Sequence, residues 1–439
     1  MPSRTSQAVR VAVLADSDTR WKWGALTARR IVPEDRSIEL SGFLLRGRAT
    51  PTARQLAEVG AEADALREMT GTAFLRTLRE ETYDVVVLAL VGGAVQAMLH
   101  GMAALGLERR PVVVTGYVGV VYEKLSDGLL LRHGADVVLA NSRHDARRFR
   151  DVYEGVGADA SSVTEAALPF LGGARYAPEE GRDTVVFAAQ PSVPASRADR
   201  TYLLRRLVQH ARLHPRREVL LKLRSRVGEH TTHIEEYPYQ RLAEKLPGGL
   251  PPNFSLVYGN MGEVLDRTDL LVTVSSTAAL ESLHRRIPTA ILTDFGVREP
   301  LGNHHFIGSG CLASWEQLDS GYRPRPDAVW ADQQGVAADG SYASAFDTAR
   351  DRVAGLLDEP ELPAISPYYT ATTAPGYLPG LLARYHLAAD GTALSTPQPE
   401  TGTGGVRRVV REAVRGAARG AYRHGVQRVA PVIRRMGEL

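Results

Sequence analysis

The chain has few of the residues that stabilise small secreted domains or structural metal sites. Among its 439 residues there is one cysteine, Cys311, which excludes an internal disulfide framework and a cysteine-ligated zinc site. Its longest apolar run, residues 85–99, contains two glycines and is shorter than the roughly 20 residues that a membrane-spanning helix needs. The first residues lack the apolar core of a signal peptide. These absences predict a cytoplasmic protein.

Lysine is also scarce, with four residues against 49 arginines. The net charge of +3 is unevenly distributed, because residues 406–439 contain nine arginines and two glutamates. The rest of the chain has 44 basic and 48 acidic residues, so it offers no electrostatic attraction for a nucleic acid. We therefore expect no nucleic-acid partner.

The chain does contain a regular alternation of short β-branched runs with helical patterns such as residues 52–69. Such alternation is typical of buried parallel strands joined by helices. It predicts an α/β fold with two Rossmann-like, doubly wound parallel-sheet domains that face a cleft, residues 1–175 and 176–365. The strand-like runs are 9–15, 83–90, 110–117 and 135–142 in the first domain, and 183–190, 217–225, 253–260, 269–276 and 287–294 in the second.

Three segments follow the second predicted domain. Residues 366–388 are expected to form a closing helix region, and residues 389–405 form a polar linker rich in Gly, Pro, Ser and Thr. In residues 406–439, valines and alanines at helical spacing alternate with arginines, which predicts a basic amphipathic helix. Residues 406–435 would then lie on an anionic membrane surface. A disordered basic tail is the alternative.

Three consecutive hydroxyl residues, Ser275, Ser276 and Thr277, separate an apolar strand pattern from a helical pattern. At such a junction, free backbone N–H groups and the positive end of the helix dipole point into solvent. Small hydroxyl residues there let an anion approach closely and add side-chain donors. The triplet therefore predicts a phosphate-binding turn, although Ser and Thr are also the preferred residues for a simple helix cap.

Other polar residues are expected at the same edge of the second sheet. Lys222 and Arg224 alternate on one strand pattern, so their side chains would share a face and bind a diphosphate or a carboxylate sugar. A solvated edge-strand face is the alternative. Gln190 and Asn260 each follow a predicted strand, and Asn260 is placed where it can contact a nucleotide base.

The first domain is expected to bind the acceptor and supply any catalytic base. Asp16, Asp18 and Arg20 follow its first strand, and one of the two carboxylates would deprotonate an acceptor hydroxyl. An aspartate cap at the start of a helix is the alternative reading. Tyr117 follows a later strand of the same domain and is a further candidate for the acceptor side.

The segment 269–292, "DLLVTVSSTAALESLHRRIPTAIL", resembles the second domain of GT-B glycosyltransferases: a strand, a Ser-Ser-Thr turn, a helix bearing a glutamate, and a proline opening the next strand. Residues 135–157 resemble the last strand and helix of their first domain. Over about residues 10–320, the chain is similar to the actinobacterial DUF6716 family of glycosyltransferases. It departs from the related sialyltransferase pattern, because its His214-Pro215 pair precedes the strand that the pair should follow.

The resemblance implies a glycosyltransferase that moves a sugar from a nucleotide-activated donor to a capsular glycan or a lipid-linked acceptor of the cell envelope. Ser275, Ser276 and Thr277 would hold the donor phosphate. Glu281 would accept hydrogen bonds from ribose or sugar hydroxyls, unless it is a solvated residue on the helix face. The resemblance implies neither a bound metal nor a cofactor, since the nucleotide sugar is a co-substrate.

Other functions compete with this interpretation. The chain could bind a sugar nucleotide without catalysis. "VLADSDT" is also similar to the first motif of haloacid-dehalogenase phosphohydrolases, in which Asp16 would be the nucleophile and Asp18 the acid/base. That family needs a later lysine, but none follows Lys245. A GT-A glycosyltransferase also uses an Asp-x-Asp motif, although it would leave the second α/β block unexplained.

Overall fold

The computed structural model of the protein describes residues 8–120, 125–229, 235–336 and 340–394. It contains two sheets in which every strand pairing is parallel. The first sheet consists of β1 (Val9–Ala15), β2 (Ile38–Leu45), β3 (Ala65–Met69), β4 (Val85–Ala89), β5 (Val112–Gly116), β6 (Val137–Ala140) and β7 (Val163–Glu165). The second consists of β8 (Thr184–Ala188), β9 (Glu218–Lys222), β10 (Phe254–Val257), β11 (Leu270–Thr273), β12 (Thr289–Leu292) and β13 (Leu312–Ala313).

Helices connect these strands and cover the sheets. They are α1 (Asp18–Ile31), α2 (Ala53–Val59), α3 (Gly71–Glu80), α4 (Gly92–Leu105), α5 (Leu125–Leu130), α6 (Arg143–Gly155), α7 (Arg197–Leu213), α8 (Tyr239–Ala243), α9 (Met261–Asp266), α10 (Ala278–His284), α11 (Trp315–Asp319), α12 (Ala328–Gln333), α13 (Asp347–Asp358) and α14 (Leu378–Ala383). Three short 3-10 helices, Glu299–Leu301, Asn303–Phe306 and Ser344–Phe346, complete the described elements.

The strand order is β3-β2-β1-β4-β5-β6-β7 in the first sheet and β10-β9-β8-β11-β12-β13 in the second. Both orders are doubly wound, which confirms the predicted fold class. Each strand-like run of the sequence contains an observed strand, and β4, β5, β8 and β11 are buried along their whole length. Because both faces of these strands are buried, their sequences are unbroken apolar runs and do not alternate between apolar and polar residues.

The helix predicted over residues 52–69 is wrong in its second half. Helix α2 ends at Val59, because Gly60 adopts a left-handed conformation with φ of 61° and closes the helix. The chain then enters β3, which pairs with β2 at the edge of the sheet. All but the last residue of β3 are exposed, so its sequence lacks the apolar run that marks a central strand.

Helix α1 lies unusually close to the first sheet. A Cβ atom added to Gly24 would come within 2.6 Å of a Val13 methyl group and 2.9 Å of the Ala89 side chain. Only glycine therefore fits at this crossing, and the close packing fixes the position of the first turn of α1. That turn carries Asp18 and Arg20.

The segment after the second sheet returns to the first. Ala349 and Val353 of α13 pack into one core cluster of the first sheet, and Leu378 and Leu382 of α14 pack into the other. The sequence assigned residues up to 365 to the second domain and residues 366–388 to a closing helix region. In the structure, both helices cover the first sheet.

Both sheets belong to one compact unit of the chain, from which Arg226–Gly228 and Leu394 are excluded. The predicted basic helix of residues 406–439, and all of the linker 389–405 beyond Leu394, lie outside the described residues. Within the described ranges, no helix has the length and apolar character needed to cross a membrane.

Candidate active site

Each sheet reverses its strand order once, between β1 and β4 in the first and between β8 and β11 in the second. Ligands of doubly wound folds bind beyond the carboxyl ends of the strands at such a reversal. The two reversals are built alike. In the first, the backbone N–H of Val91 donates to Asp16 Oδ2 at 2.9 Å, and in the second, the N–H of Ser275 donates to Gln190 Oε1 at 3.0 Å.

Asp16 is hydrogen-bonded by groups of its own domain. Its second carboxylate oxygen, Oδ1, accepts a hydrogen bond from Arg20 Nη1 at 3.0 Å, and only 14% of its side chain is exposed. Both oxygens are therefore occupied. Through these contacts Asp16 positions Arg20 and the turn after β4.

The hydroxyl triplet divides into one buried and two accessible side chains. Ser275 is 1% exposed, and its hydroxyl donates to the Leu301 carbonyl at 2.5 Å, so it closes the turn. Ser276 and Thr277 are partly exposed, and Ser276 Oγ accepts the Ala278 N–H at 3.2 Å. Helix α10 has only seven residues, so the hydroxyls, more than a helix dipole, give this turn its polarity.

Thr277 connects this turn to the first domain. The backbone N–H of Val120, in the loop after β5, donates to Thr277 Oγ1 at 3.4 Å. The neighbouring Gly119 lies so close that an added Cβ would be 2.5 Å from the same oxygen. The turn after β11 therefore faces the carboxyl edge of the first sheet.

Ion pairs between the domains surround this turn. Arg224 Nη2 donates to Asp18 Oδ1 at 2.6 Å, and 8% of the Asp18 side chain is exposed. Arg54 of α2 forms a second such pair with Glu229. The sequence places Arg224 on a strand beside Lys222, but β9 ends at Lys222 because its neighbour β8 ends at the paired Ala188. Arg224 therefore lies in the following loop and reaches across the junction.

Lys222 and Glu281 are buried charged groups of the second domain, each 8% exposed. Burial lowers the pKa of Lys222 to about 8, although the nearby carboxylate of Glu58 favours its charged form. Lys222 Nζ donates to the Leu223 carbonyl at 2.8 Å. Burial raises the pKa of Glu281, while the charges of Lys22, Arg285 and Lys222 oppose that rise.

The Glu281 carboxylate accepts no hydrogen bond from the residues that the structure describes. A mostly buried carboxylate without a donor among the described residues is able to accept hydrogen bonds from a ligand. Lys22 of α1, whose charge acts on Glu281, was missed by the sequence reasoning. The available signal was its position four residues after Asp18 on one helix face.

The other predicted residues have local contacts. Asn260 caps α9, because its Oδ1 accepts the Gly262 N–H at 2.8 Å. The Tyr117 ring lies under the Arg132 guanidinium at 4.0 Å, and its hydroxyl donates to the Leu125 carbonyl at 3.5 Å. Tyr117 is therefore packed within the first domain. Arg132, another missed residue, donates to the carbonyls of Gly116 and Gly128 at 3.0 and 2.7 Å.

One cluster outside the junction has metal-ligand residue types. Ligand atoms of His210, His214 and Asp319 lie within 4.8 Å of one another. Arg217 Nη1 donates to His210 Nε2 at 3.0 Å, so the ring proton is on Nδ1, which donates to Asp319 at 2.6 Å. A metal ion on Nδ1 would move the proton to Nε2, where it would face the Arg217 donor. The cluster fits a hydrogen-bond network better than a metal centre.

Comparisons with solved structures show the same architecture. A UDP-N-acetylglucosamine 2-epimerase is 11% identical and has a TM-score of 0.50, with coverage of 82% of this chain and 100% of that one. The UDP-GlcNAc 2-epimerase of Neisseria meningitidis is 9% identical, with coverage of 80% and 100% and a TM-score of 0.49. A glycotransferase of kitacinnamycin is 14% identical, with coverage of 80% and 96% and a TM-score of 0.44. At these identities the likeness concerns the fold alone, which is GT-B-like.

No curated protein sequence matches the chain. Residues 11–356, however, match the family described as "Putative glycosyltransferase (DUF6716)". This match covers well over half of the sequence and includes both sheets and all the residues of the junction. The chain therefore belongs to the DUF6716 family of glycosyltransferases.

Proposed function

We propose that the protein transfers a sugar from a nucleotide-activated donor to a glycan or lipid-linked acceptor of the cell envelope. The observation that carries the proposal is the convergence of Lys222, Arg224 and the unpartnered Glu281 carboxylate at the carboxyl edge of the second sheet. Two cations suit the diphosphate of a nucleotide sugar, and a carboxylate suits its ribose or sugar hydroxyls.

The remaining second-domain residues have supporting roles in this proposal. Ser276 and Thr277 donate hydrogen bonds to the donor phosphate, while Ser275 and Gln190 maintain the turn that presents them. Asn260, at the start of α9, contacts the nucleotide base. On the facing side, Asp16 and Arg20 form the acceptor wall of the first domain.

The envelope acceptor is supported by sequence only. The Ser-Ser-Thr turn resembles that of capsule transferases, and residues 406–439 have the charge of a segment that would bind an anionic membrane surface. Such a segment would hold the enzyme on the cytoplasmic face of the membrane, next to lipid-linked acceptors. Flotation with anionic vesicles of full-length protein and of a variant ending at residue 400 tests this part of the proposal.

The donor site is tested by a thermal-shift panel of UDP, GDP and CMP with their sugar conjugates. A Ser276→Ala/Thr277→Ala double variant is expected to bind the best ligand about 10-fold more weakly, because it loses two hydrogen bonds to a charged group. Thr348→Ala, at an exposed position on α13, is the matched control and should bind normally. Unchanged affinity in the double variant would refute the role of the turn.

An assay of turnover distinguishes glycosyl transfer from the competing functions. A transferase releases free nucleotide from the nucleotide sugar, at a rate that rises when an alcohol acceptor is added. A sugar-nucleotide-binding protein releases none, and a phosphohydrolase releases inorganic phosphate from a phosphomonoester. Conversion of the sugar to its epimer without nucleotide release would show that the protein is an epimerase instead of a transferase.

The ion pair between Asp18 and Arg224 gives a further expectation. In the absence of a ligand, the Asp18 carboxylate occupies the guanidinium that a phosphate would use. Asp18→Asn should therefore bind a nucleoside diphosphate about fivefold more tightly, a gain of roughly 1 kcal/mol. Calorimetric titration measures this, with Asp16→Asn as control because Asp16 is bonded within its own domain. If Asp18 were the catalytic base, Asp18→Asn would instead lower turnover and leave the affinity unchanged.

A further inference from the structure

Asp145 is a buried carboxylate at the start of α6, immediately after the carboxyl end of β6. It is 4% exposed, and its backbone N–H donates to the Ser142 hydroxyl at 3.0 Å. Its side-chain Oδ1 has no hydrogen-bond partner. Among the described residues, none donates a hydrogen bond to either oxygen of this carboxylate.

A reciprocal helix cap does not explain the acidic residue at this position. In a reciprocal helix cap, the third side chain accepts the backbone N–H of the capping residue. The structure has this arrangement at Thr52 and Gln55 and at Ser314 and Gln317, but not at α6. The nearest cation in the described chain, Arg148, is 3.7 Å from Oδ1, which is too long for a hydrogen bond.

Asp145 belongs to the junction between the domains. The side-chain amide of Asn141, at the end of β6, donates to the carbonyls of Tyr117 and Gly119 at 2.7 and 3.4 Å. This is the loop whose Gly119 and Val120 contact Thr277 on the donor turn. The beginning of α6 and the proposed phosphate site are therefore attached to one short loop.

The second domain also approaches α6 directly. Burial, together with the charges of His144 and Arg148 on α6, lowers the pKa of His305 to about 3. His305 lies in the 3-10 helix Asn303–Phe306 of the second domain. The beginning of α6, which carries Asp145, therefore lies near residues of both domains.

The other two aspartates of the junction already accept hydrogen bonds. Both oxygens of Asp16 accept hydrogen bonds, and Asp18 is paired with Arg224 and bonded to the Thr19 hydroxyl. A group that must accept a proton needs an oxygen within hydrogen-bond reach of the substrate. Of these three aspartates, Asp145 alone has no hydrogen-bond donor on either oxygen among the described residues.

We propose that Asp145 is the general base of the transfer, and this rests on the proposed function. The acceptor hydroxyl gives its proton to the Asp145 carboxylate as its oxygen forms a bond to the anomeric carbon of the donor. The bond between that carbon and the phosphate oxygen breaks, and its electron pair leaves with the nucleotide. Asp145 then releases the proton to water, and the anomeric configuration is inverted.

The ionisation of Asp145 suits this role. Burial raises its pKa to about 6, and the charge of Arg148 opposes the rise. The Asp145 charge in turn acts on Tyr117, whose pKa is raised mainly by burial. At pH 7 the carboxylate is therefore mostly ionised, and it loses its capacity to accept a proton as the pH falls through about 6.

The test uses the full chain and the nucleotide sugar that shifts its melting temperature most, chosen from UDP-glucose, UDP-N-acetylglucosamine, GDP-mannose and CMP-N-acetylneuraminate. Nucleotide release is measured with glycerol as the surrogate acceptor. Asp145→Asn is expected to lower kcat about 100-fold or more and to leave the donor Kd unchanged. Asp145→Glu should restore part of the rate. Asp151→Asn, an exposed aspartate on the same helix, is the control.

The pH profile supplies the readout that a structural role would not change. The wild-type rate should fall below pH about 6, and Asp145→Asn should lack this limb. A melting temperature of Asp145→Asn equal to or above that of the wild type would show that the loss is not unfolding. Wild-type turnover in Asp145→Asn, or a loss of donor affinity, refutes the base assignment alone. If no nucleotide sugar binds, the proposed function fails and the base assignment with it.

Discussion

Replacing Lys222 by methionine is expected to weaken binding of the nucleotide-sugar donor about 100-fold at pH 7, because a buried cation that contacts a phosphate contributes roughly 3 kcal/mol. The residue is 8% exposed, so water cannot take over the role of the ammonium group. Methionine retains the length and most of the volume of lysine and removes its charge. Calorimetric titration with the best nucleotide sugar measures the change.

The dependence on pH makes this expectation specific to Lys222. Burial lowers its pKa from 10.5 to about 8, so the group is charged below pH 8 and neutral above it. An anionic ligand binds the charged form, and the donor Kd should therefore rise about 10-fold per pH unit above 8. Lys222→Arg keeps a permanent charge and should show a flat profile at high pH.

Two outcomes would contradict the Lys222 assignment. One is a Lys222→Met variant that binds the donor as the wild type does. The other is a loss of affinity above pH 8 that persists in Lys222→Arg, because another group would then be titrating. Lys245→Met is the matched control, since that residue is exposed and far from the junction in sequence.

Replacing Glu281 by glutamine is expected to weaken donor binding about 30-fold while making the free protein more stable. The loss follows because the charged carboxylate is the stronger acceptor for ribose or sugar hydroxyls. The gain follows because burial raises the pKa of Glu281, which means that the folded protein disfavours its ionised form. Removing that charge should raise Tm by on the order of 2 °C at neutral pH.

The sign of the pH effect can be checked independently. With a raised pKa, the folded state binds more protons than the unfolded state above pH 4.5, so this group lowers stability as the pH rises toward its folded pKa. Glu281→Gln should lack that loss, and the two melting curves should diverge as the pH increases. Glu263→Gln, at an exposed position on α9, should follow the wild type. A lower Tm in Glu281→Gln, with unchanged donor binding, would make Glu281 a structural residue.

The sequence predicted the candidate-site residues whose location depends on their position relative to the strands. Lys222 ends a strand of the second sheet, and Gln190, Asn260 and Ser275 follow such strands, so topology brings them to one edge. The contacts of these side chains were not predictable in the same way. Ser275 differs from its neighbour Ser276 only in being buried under the Leu301 carbonyl, a contact that no local pattern indicates.

The roles of the charged residues depended on partners that are distant in sequence. Asp18 and Arg224 are 206 residues apart, so their ion pair arises only when the two domains meet. Asp145 gave no signal at all, because an aspartate in the first turn of a helix is common and stabilising. It becomes a candidate base only through burial and the absence of a donor among the described residues.

The sequence by itself determined the two parallel sheets and the edge at which their loops gather. Apolar runs, glycines and helix caps act over a few neighbouring residues, so their patterns can be read directly from the sequence. The predicted strand runs do not include β2, β7 and β13. The prediction was also wrong at β3, an exposed edge strand whose composition is that of a helix surface. The tertiary structure alone decided which carboxylates are paired and which remain open, because hydrogen-bond partners and burial are set by contacts between elements far apart in the chain.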